Sequence, residues 1–234
     1  MSTKQVSKKP ADKQALSQFL AKTRQLPQRA VSDSRTNNRM IFALDATASR
    51  QPSWDQACQL QSEMFLATDN LGGIQLQLCY YRGFNEFHYS PWLQDGDALQ
   101  RIMNAVQCLG GHTQIERVLM HALRENSDEA IKAVIIIADA VEEDVDRLCE
   151  KSGQLGMMKI PIFVFQEGFD KNAKNCFQQM AKLSNGAYAN FNEQSAQHLS
   201  DLLGAVATYA AGGRSALLKL NSASAKQLLQ QLRP

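Results

Sequence analysis

Residues 40–49 read Met-Ile-Phe-Ala-Leu-Asp-Ala-Thr-Ala-Ser, an apolar run that gives way to polar side chains. Five consecutive apolar residues, 40–44, are typical of a β-strand that is buried on both faces. Such strands occur in parallel sheets with helices packed on each side. Asp45, Thr47 and Ser49 follow at the carboxyl end of this strand, where open α/β sheets bind their ligands. The stretch therefore predicts both a fold and the position of a site.

The rest of the chain alternates between strand and helix patterns. Strands are predicted at 40–44, 74–81, 84–89, 133–138, 160–165 and 187–191, and helices at 54–70, 97–109, 113–125, 141–155, 172–184 and 196–211. This alternation favours right-handed crossovers and a mostly parallel sheet. Arg82-Gly83 reads as a tight turn, which allows one antiparallel edge strand. The predicted fold class is α/β, a doubly wound three-layer α/β/α sandwich.

More polar residues follow other predicted strands and turns. Asp139 comes directly after the strand at 133–138, and Thr113 follows the Gly110-Gly111 turn. Together with the polar residues after the first strand, they offer two carboxylates and three hydroxyls, all of them hard oxygen ligands. Such ligands suit Mg²⁺ or Mn²⁺ rather than zinc or copper. The candidate metal ligands are Asp45, Thr47, Ser49, Thr113 and Asp139.

This set resembles the metal-ion-dependent adhesion site (MIDAS) of the von Willebrand factor A (VWA) family. The family pattern is Asp-x-Ser-x-Ser after the first strand, a Thr in a Gly-rich turn, and an Asp after the fourth strand. The resemblance covers roughly residues 38–212 and includes the order of strands and helices. It implies a six-stranded, Rossmann-like sheet of strand order 3-2-1-4-5-6 in which the third strand is antiparallel.

The resemblance also implies roles for the matching residues. The hydroxyls of Thr47, Ser49 and Thr113 would ligate a divalent cation, and the carboxylates of Asp45 and Asp139 would hold it directly or through water. A Glu or Asp of a partner protein would complete the coordination. The implied function is therefore protein binding rather than catalysis. Family members inside cells often serve multiprotein complexes, including partners of AAA+ ATPases and chaperones.

Two positions depart from the family pattern. Thr47 stands where Ser is usual, and Ala140 stands where Gly is common after the Asp. Neither change removes a ligand. A vestigial site, in a scaffold protein that binds through its terminal segments, remains an alternative. Another is a metal-assisted phosphoester hydrolase on the same scaffold, with Arg50 and His112 as the groups nearest to the constellation.

Three neighbouring groups allow two interpretations each. His112 adjoins Thr113 and lies either at the metal rim or, more ordinarily, in a solvent-exposed turn. Residues 142–144, Glu-Glu-Asp, either add charge near the cation or favour the start of a helix through its dipole. Residues 80–82, Tyr-Tyr-Arg, have an interface composition but equally suit a partly buried edge strand.

Charge is distributed unevenly along the chain. The 25 Lys and Arg nearly balance the 23 Asp and Glu, for a formal net charge of +2. Nevertheless, residues 1–39 hold nine basic and two acidic side chains, residues 40–212 twelve and twenty-one, and residues 213–234 four and none. The acidic body argues against a nucleic-acid-binding core. It would also raise the local cation concentration at a metal site.

The predicted organisation is a basic extension at 1–38 with an amphipathic helix near 11–25, a VWA-like domain at 39–212, and a basic amphipathic tail at 213–234. No apolar stretch approaches the ~20 residues of a membrane helix, and the first residues resemble no secretory signal. The five cysteines form no Cys-x-x-Cys pair, which favours reduced thiols. We therefore expect a cytoplasmic protein.

Overall fold

Six β-strands form one sheet in the part of the chain that the computed structural model describes, residues 38–51, 54, 74–192 and 196–232. The strands are β1 Arg39–Asp45, β2 Gln75–Arg82, β3 Glu86–Tyr89, β4 Ile131–Ala138, β5 Ile162–Glu167 and β6 Ala187–Phe191. Their order is β3-β2-β1-β4-β5-β6, and β3 alone among them runs antiparallel to its neighbour. The predicted α/β class, strand order and antiparallel edge strand are confirmed.

Helices cover both faces of the sheet. They are α1 Gly96–Asn104, α2 Ile115–Asp128, α3 Val145–Met157, α4 Lys171–Leu183, α5 Ala196–Lys219 and α6 Ala223–Leu229. Because strand side chains alternate between faces, Met40 and Phe42 join a core with α1, α5 and α6, whereas Ile41 and Ala43 join a core with α2, α3 and α4. None of the described helices is both long enough and apolar enough to span a bilayer.

One helix is shorter than its sequence pattern predicts. The pattern indicated a helix over 97–109, but α1 ends at Asn104. The chain leaves the helix because Leu109 is held beside the loop after β1. Its N–H donates to the carbonyl of Ala46 at 3.1 Å, and it forms a β-bridge with Thr47. A tertiary contact thus overrides the helical pattern and ties Leu109 to the candidate site.

Two predicted segments fall almost entirely outside the described residues. The basic extension at 1–38, with its helix near 11–25, lies outside the described residues except for Asn38. The helix predicted at 54–70 also lies outside them, except for Trp54.

The segment after residue 212 packs on the sheet. α5 continues beyond 212 across a non-helical residue, Gly213, whose φ of 66° lies in the left-handed region that glycine tolerates. The Ser222 hydroxyl accepts a hydrogen bond from the N–H of Ala225 at 3.1 Å and caps α6. The Gln231 side chain then pairs with both backbone polar groups of Tyr188 at 2.9 Å. The Gln231 side chain therefore covers part of the outer edge of the edge strand β6.

The carboxyl ends of β1, β4 and β5 lie side by side, because these strands are parallel neighbours. Asp45 ends β1, Asp139 follows β4, and Glu167 ends β5. The sheet thus brings three carboxylates from distant parts of the sequence to one edge.

Candidate metal centre

The loop after β1 is organised by the carboxylate at its start. Asp45 is fully buried, and its Oδ1 accepts a hydrogen bond from the N–H of Thr47 at 2.8 Å. The chain then enters a 3-10 turn at Ala48–Arg50. This path sets the hydroxyl oxygens of Thr47 and Ser49 side by side, 3.0 Å apart. Two of the predicted ligands therefore point to the same place.

The environment of Asp45 disfavours its negative charge. Its Oδ2 accepts a hydrogen bond from the Tyr81 hydroxyl at 3.2 Å. Burial raises the pKa of Asp45 from 3.8 to about 6, the bonds from Thr47 oppose the rise, and the nearby Asp139 carboxylate adds to it. Arg50 opposes it more weakly. A bound cation would stabilise this carboxylate in its ionised form.

The Gly-rich turn and the loop after β4 are joined by reciprocal hydrogen bonds. The N–H of Thr113 donates to Glu142 Oε2 at 3.0 Å, and the N–H of Glu142 donates to Thr113 Oγ1 at 3.0 Å. Glu143 accepts from the N–H groups of Ile115 at 2.6 Å and Glu116 at 2.8 Å, at the start of α2. Burial raises the pKa of Glu143, and these bonds oppose the rise. Thr113 is thereby tied to the loop that follows β4 and Asp139.

The three acidic residues at 142–144 play two different parts. Asp144 caps α3, as a helix start predicts, by accepting from the N–H of Asp146 at 2.9 Å. Glu142 and Glu143 instead reach across to the Thr113 loop. Sequence spacing could not show this, because the bonds join residues 27–29 positions apart.

Asp139 carries one of the buried polar atoms that pair with no described protein group. Its Oδ1 is buried and has no hydrogen-bond partner among the described residues. Buried polar atoms are normally paired, and an exception needs an explanation such as an ion. The atom belongs to a residue already predicted as a metal ligand, so a cation is the explanation we favour.

Two further charged residues belong to the site: Glu167, which was not predicted from the sequence, and Arg50, which was named only as a neighbour of the constellation. Arg50, next to Ser49, is only 1% exposed and forms an ion pair with Glu167 at the end of β5. Burial lowers the pKa of the Arg50 guanidinium, while Asp45 and Asp139 raise it. A similar rule applies to Glu167, because Gln166 and Glu167 are the first polar residues after the predicted strand. That signal was present after 160–165.

The donor set fits a divalent cation. Among the described residues no three His, Cys, Asp or Glu side chains cluster as metal ligands, so the candidate depends on hydroxyl oxygens as well as on carboxylates. Three carboxylates, those of Asp45, Asp139 and Glu167, share the edge with the guanidinium of Arg50. Among these four side chains the carboxylates exceed the guanidinium by two negative charges, and Glu142 and Glu143 add further acid in the adjoining loop, so the charge of the site favours a cation.

Three exposed apolar side chains, which we call the apolar rim, follow strand ends or lie in loops near the site: Phe84, Leu109 and Phe169. Phe84 and Phe169 are 70% and 78% exposed. The Phe84 ring contacts the His112 ring edge-on at 5.1 Å, and His112 Nδ1 lies 3.2 Å from Glu142 Oε2. His112 therefore stands at the rim, with the exposure of a turn residue.

The three residues at 80–82, for which an interface and a buried edge strand were both considered, lie in different environments. Tyr81 points inward to Asp45 and is fully buried, so an interface role for it is wrong. Arg82 turns to Glu86 at 2.8 Å and to the carbonyl of Gln107 at 2.7 Å. Tyr80 stacks on His88, with ring centroids 5.0 Å apart.

No protein-family model and no curated protein matches the sequence, but solved structures do match the fold. A von Willebrand factor type A protein from Catenulispora acidiphila is 18% identical, with a TM-score of 0.60, over 75% of this chain and 43% of that one. The VWA domain of SpRpn10 is 10% identical, with a TM-score of 0.56, over 69% and 94%. Proximal thread matrix protein 1 from the mussel byssus, with a zinc-occupied MIDAS motif, is 14% identical, with a TM-score of 0.60, over 72% and 45%.

These similarities concern the fold alone. The match spans less than half of the Catenulispora and byssus proteins. The strand order of this chain and its antiparallel strand next to β2 are those that the family resemblance implied. The described domain of this chain has the von Willebrand factor A fold.

Proposed function

We propose that this domain is a protein-binding module that holds a divalent cation and uses it to capture an acidic side chain of a partner. The buried, unpartnered Oδ1 of Asp139 carries the proposal. The adjacent hydroxyls of Thr47 and Ser49 support it. Mg²⁺ is the ion we favour, with Mn²⁺ as a substitute. The zinc-occupied MIDAS motif of the byssus protein supports a divalent ion in this fold.

The apolar rim supports a protein as the partner. Exposed aromatic side chains beside a charged centre are common anchors of protein interfaces. A small phosphate ester would not bury them. The partner would present a Glu or Asp, because a carboxylate completes the coordination of a hard cation.

The proposal assigns no catalytic residue. Arg50 is buried against Glu167, and His112 is paired with Glu142 at the rim. We therefore assign neither residue the role of a general acid or base. These positions favour binding over the hydrolase alternative.

We place the module in the cytoplasm, within a multiprotein complex. The thiols of Cys79, Cys149 and Cys176 are free, which supports a reducing compartment. Association with an AAA+ ATPase or a chaperone rests on the family resemblance alone.

Replacing Thr113 by valine tests the cation site. Valine keeps the shape but removes the hydroxyl, so calorimetric titration should show Mg²⁺ and Mn²⁺ binding weakened by about tenfold to a hundredfold. Thr208→Val is the matched control. The one hydrogen bond described for the Thr208 hydroxyl goes to the Gly204 carbonyl, within α5. Equal binding by wild type and Thr113→Val would refute the role of this residue as a ligand.

The double variant Phe84→Ser/Phe169→Ser tests the rim. It should reduce partner capture in pull-downs by at least about tenfold, yet leave cation binding unchanged. Addition of EDTA should release the partner from wild type. The control is Met157→Ser, which removes a side chain that is 80% exposed at the far end of α3. Capture that survives both EDTA and the double variant would exclude this surface.

A further inference from the structure

Arg50 is in an unusual place for a permanent positive charge. It directly follows the last residue of the Asp-x-Thr-x-Ser stretch, yet its side chain is 1% exposed. A guanidinium does not lose its proton in a protein, and a buried charge is costly unless it is paired. The surrounding carboxylates must therefore compensate it.

The compensating groups belong to the candidate metal centre. Arg50 forms an ion pair with Glu167 and interacts electrostatically with Asp45 and Asp139. These groups end or follow β1, β4 and β5, so Arg50 links the three strand ends that surround the site. Removal of the guanidinium would leave like charges close together in a buried place.

We infer that Arg50 is a resident cation of this site, which holds the carboxylates together when no metal is bound and weakens the binding of a divalent cation. The guanidinium attracts the same carboxylates that would hold a metal, and it repels a second cation nearby. The weakening half of the inference rests on the proposed cation site. Wild-type protein should consequently keep its fold in EDTA and bind Mg²⁺ only moderately.

Arg50→Met tests this role, because methionine fills much of the same space without charge. In EDTA its unfolding temperature should fall by about 10 °C relative to wild type. Millimolar Mg²⁺ should raise the unfolding temperature of Arg50→Met more than that of wild type. Calorimetry should show the ion bound about tenfold more tightly by the variant. Arg124→Met controls for net charge, since Arg124 is exposed in the half of α2 remote from Thr113.

Arg50→Met/Glu167→Gln keeps the experiment decisive if the single variant does not fold. It removes both members of the ion pair, so it should be more stable than Arg50→Met and still respond to Mg²⁺ more than wild type. A response no larger than that of wild type, in whichever of these variants folds, overturns the inference while leaving the proposed function intact. A response in the variants but none in wild type supports the inference and refutes the metal part of the proposed function. No response in any protein refutes both.

Discussion

Gly111→Ala is expected to lower the free energy of unfolding by about 3 kcal/mol and to weaken cation binding by at least about tenfold. A β-carbon at this position would lie 2.0 Å from the carbonyl oxygen of Gly83, and backbone cannot move aside as a flexible side chain can. The two turns are also held together by a hydrogen bond from the His112 N–H to that same oxygen, at 3.2 Å. The alanine must break this contact and displace Thr113.

Gly110→Ala is the matched control for this prediction. A β-carbon on Gly110 meets no atom within 4 Å, so the neighbouring substitution should leave stability and cation binding near their wild-type values. Denaturant unfolding measures the first quantity, and calorimetric titration measures the second. If the two alanine variants behave alike, the close approach of the turns does not position Thr113.

The fold could be predicted because most strands and helices have their own local pattern. β6 occupies the predicted residues 187–191, and β4 starts two residues before the predicted 133–138. The order of the strands came from the resemblance and not from periodicity. The misjudged helix end at Asn104 depends on Leu109 meeting Ala46, a contact that no local pattern contains.

The same difference, between local patterns and tertiary contacts, separates the site residues that could be predicted from those that could not. Asp45 and Asp139 were found because each comes directly after an apolar strand. The burial of Arg50 depends on β5 ending beside β4, which places Glu167 opposite it. The inward direction of Tyr81 likewise depends on β2 pairing with β1 in a register that sets Tyr81 against Asp45. Both features belong to the assembled sheet, so sequence spacing alone does not reveal them.

Asp45→Asn is expected to stabilise the metal-free protein and to abolish cation binding. The ionised carboxylate is fully buried, and burial is the main cause that raises its pKa from 3.8 to about 6. Asparagine has nearly the same shape and still offers an oxygen to the Thr47 N–H. At neutral pH in EDTA the variant should be more stable by about 3 kcal/mol, the free energy that corresponds to this pKa difference.

The stability difference between Asp45→Asn and wild type should depend on pH. Because the folded protein binds the Asp45 proton more tightly than the unfolded chain, this group stabilises wild type below pH 3.8, and that contribution is lost as the pH rises to about 6. The advantage of Asp45→Asn should therefore be near zero at the acidic end of this window and reach its full size above it. Denaturant unfolding in EDTA across the window measures the difference, with the exposed Asp201→Asn as control.

A variant less stable than wild type at neutral pH would mean that Arg50 and the hydrogen-bond donors compensate the charge of Asp45 more than its burial costs. Saturating Mg²⁺ should narrow or reverse the difference, because the ion stabilises only the protein that keeps the carboxylate.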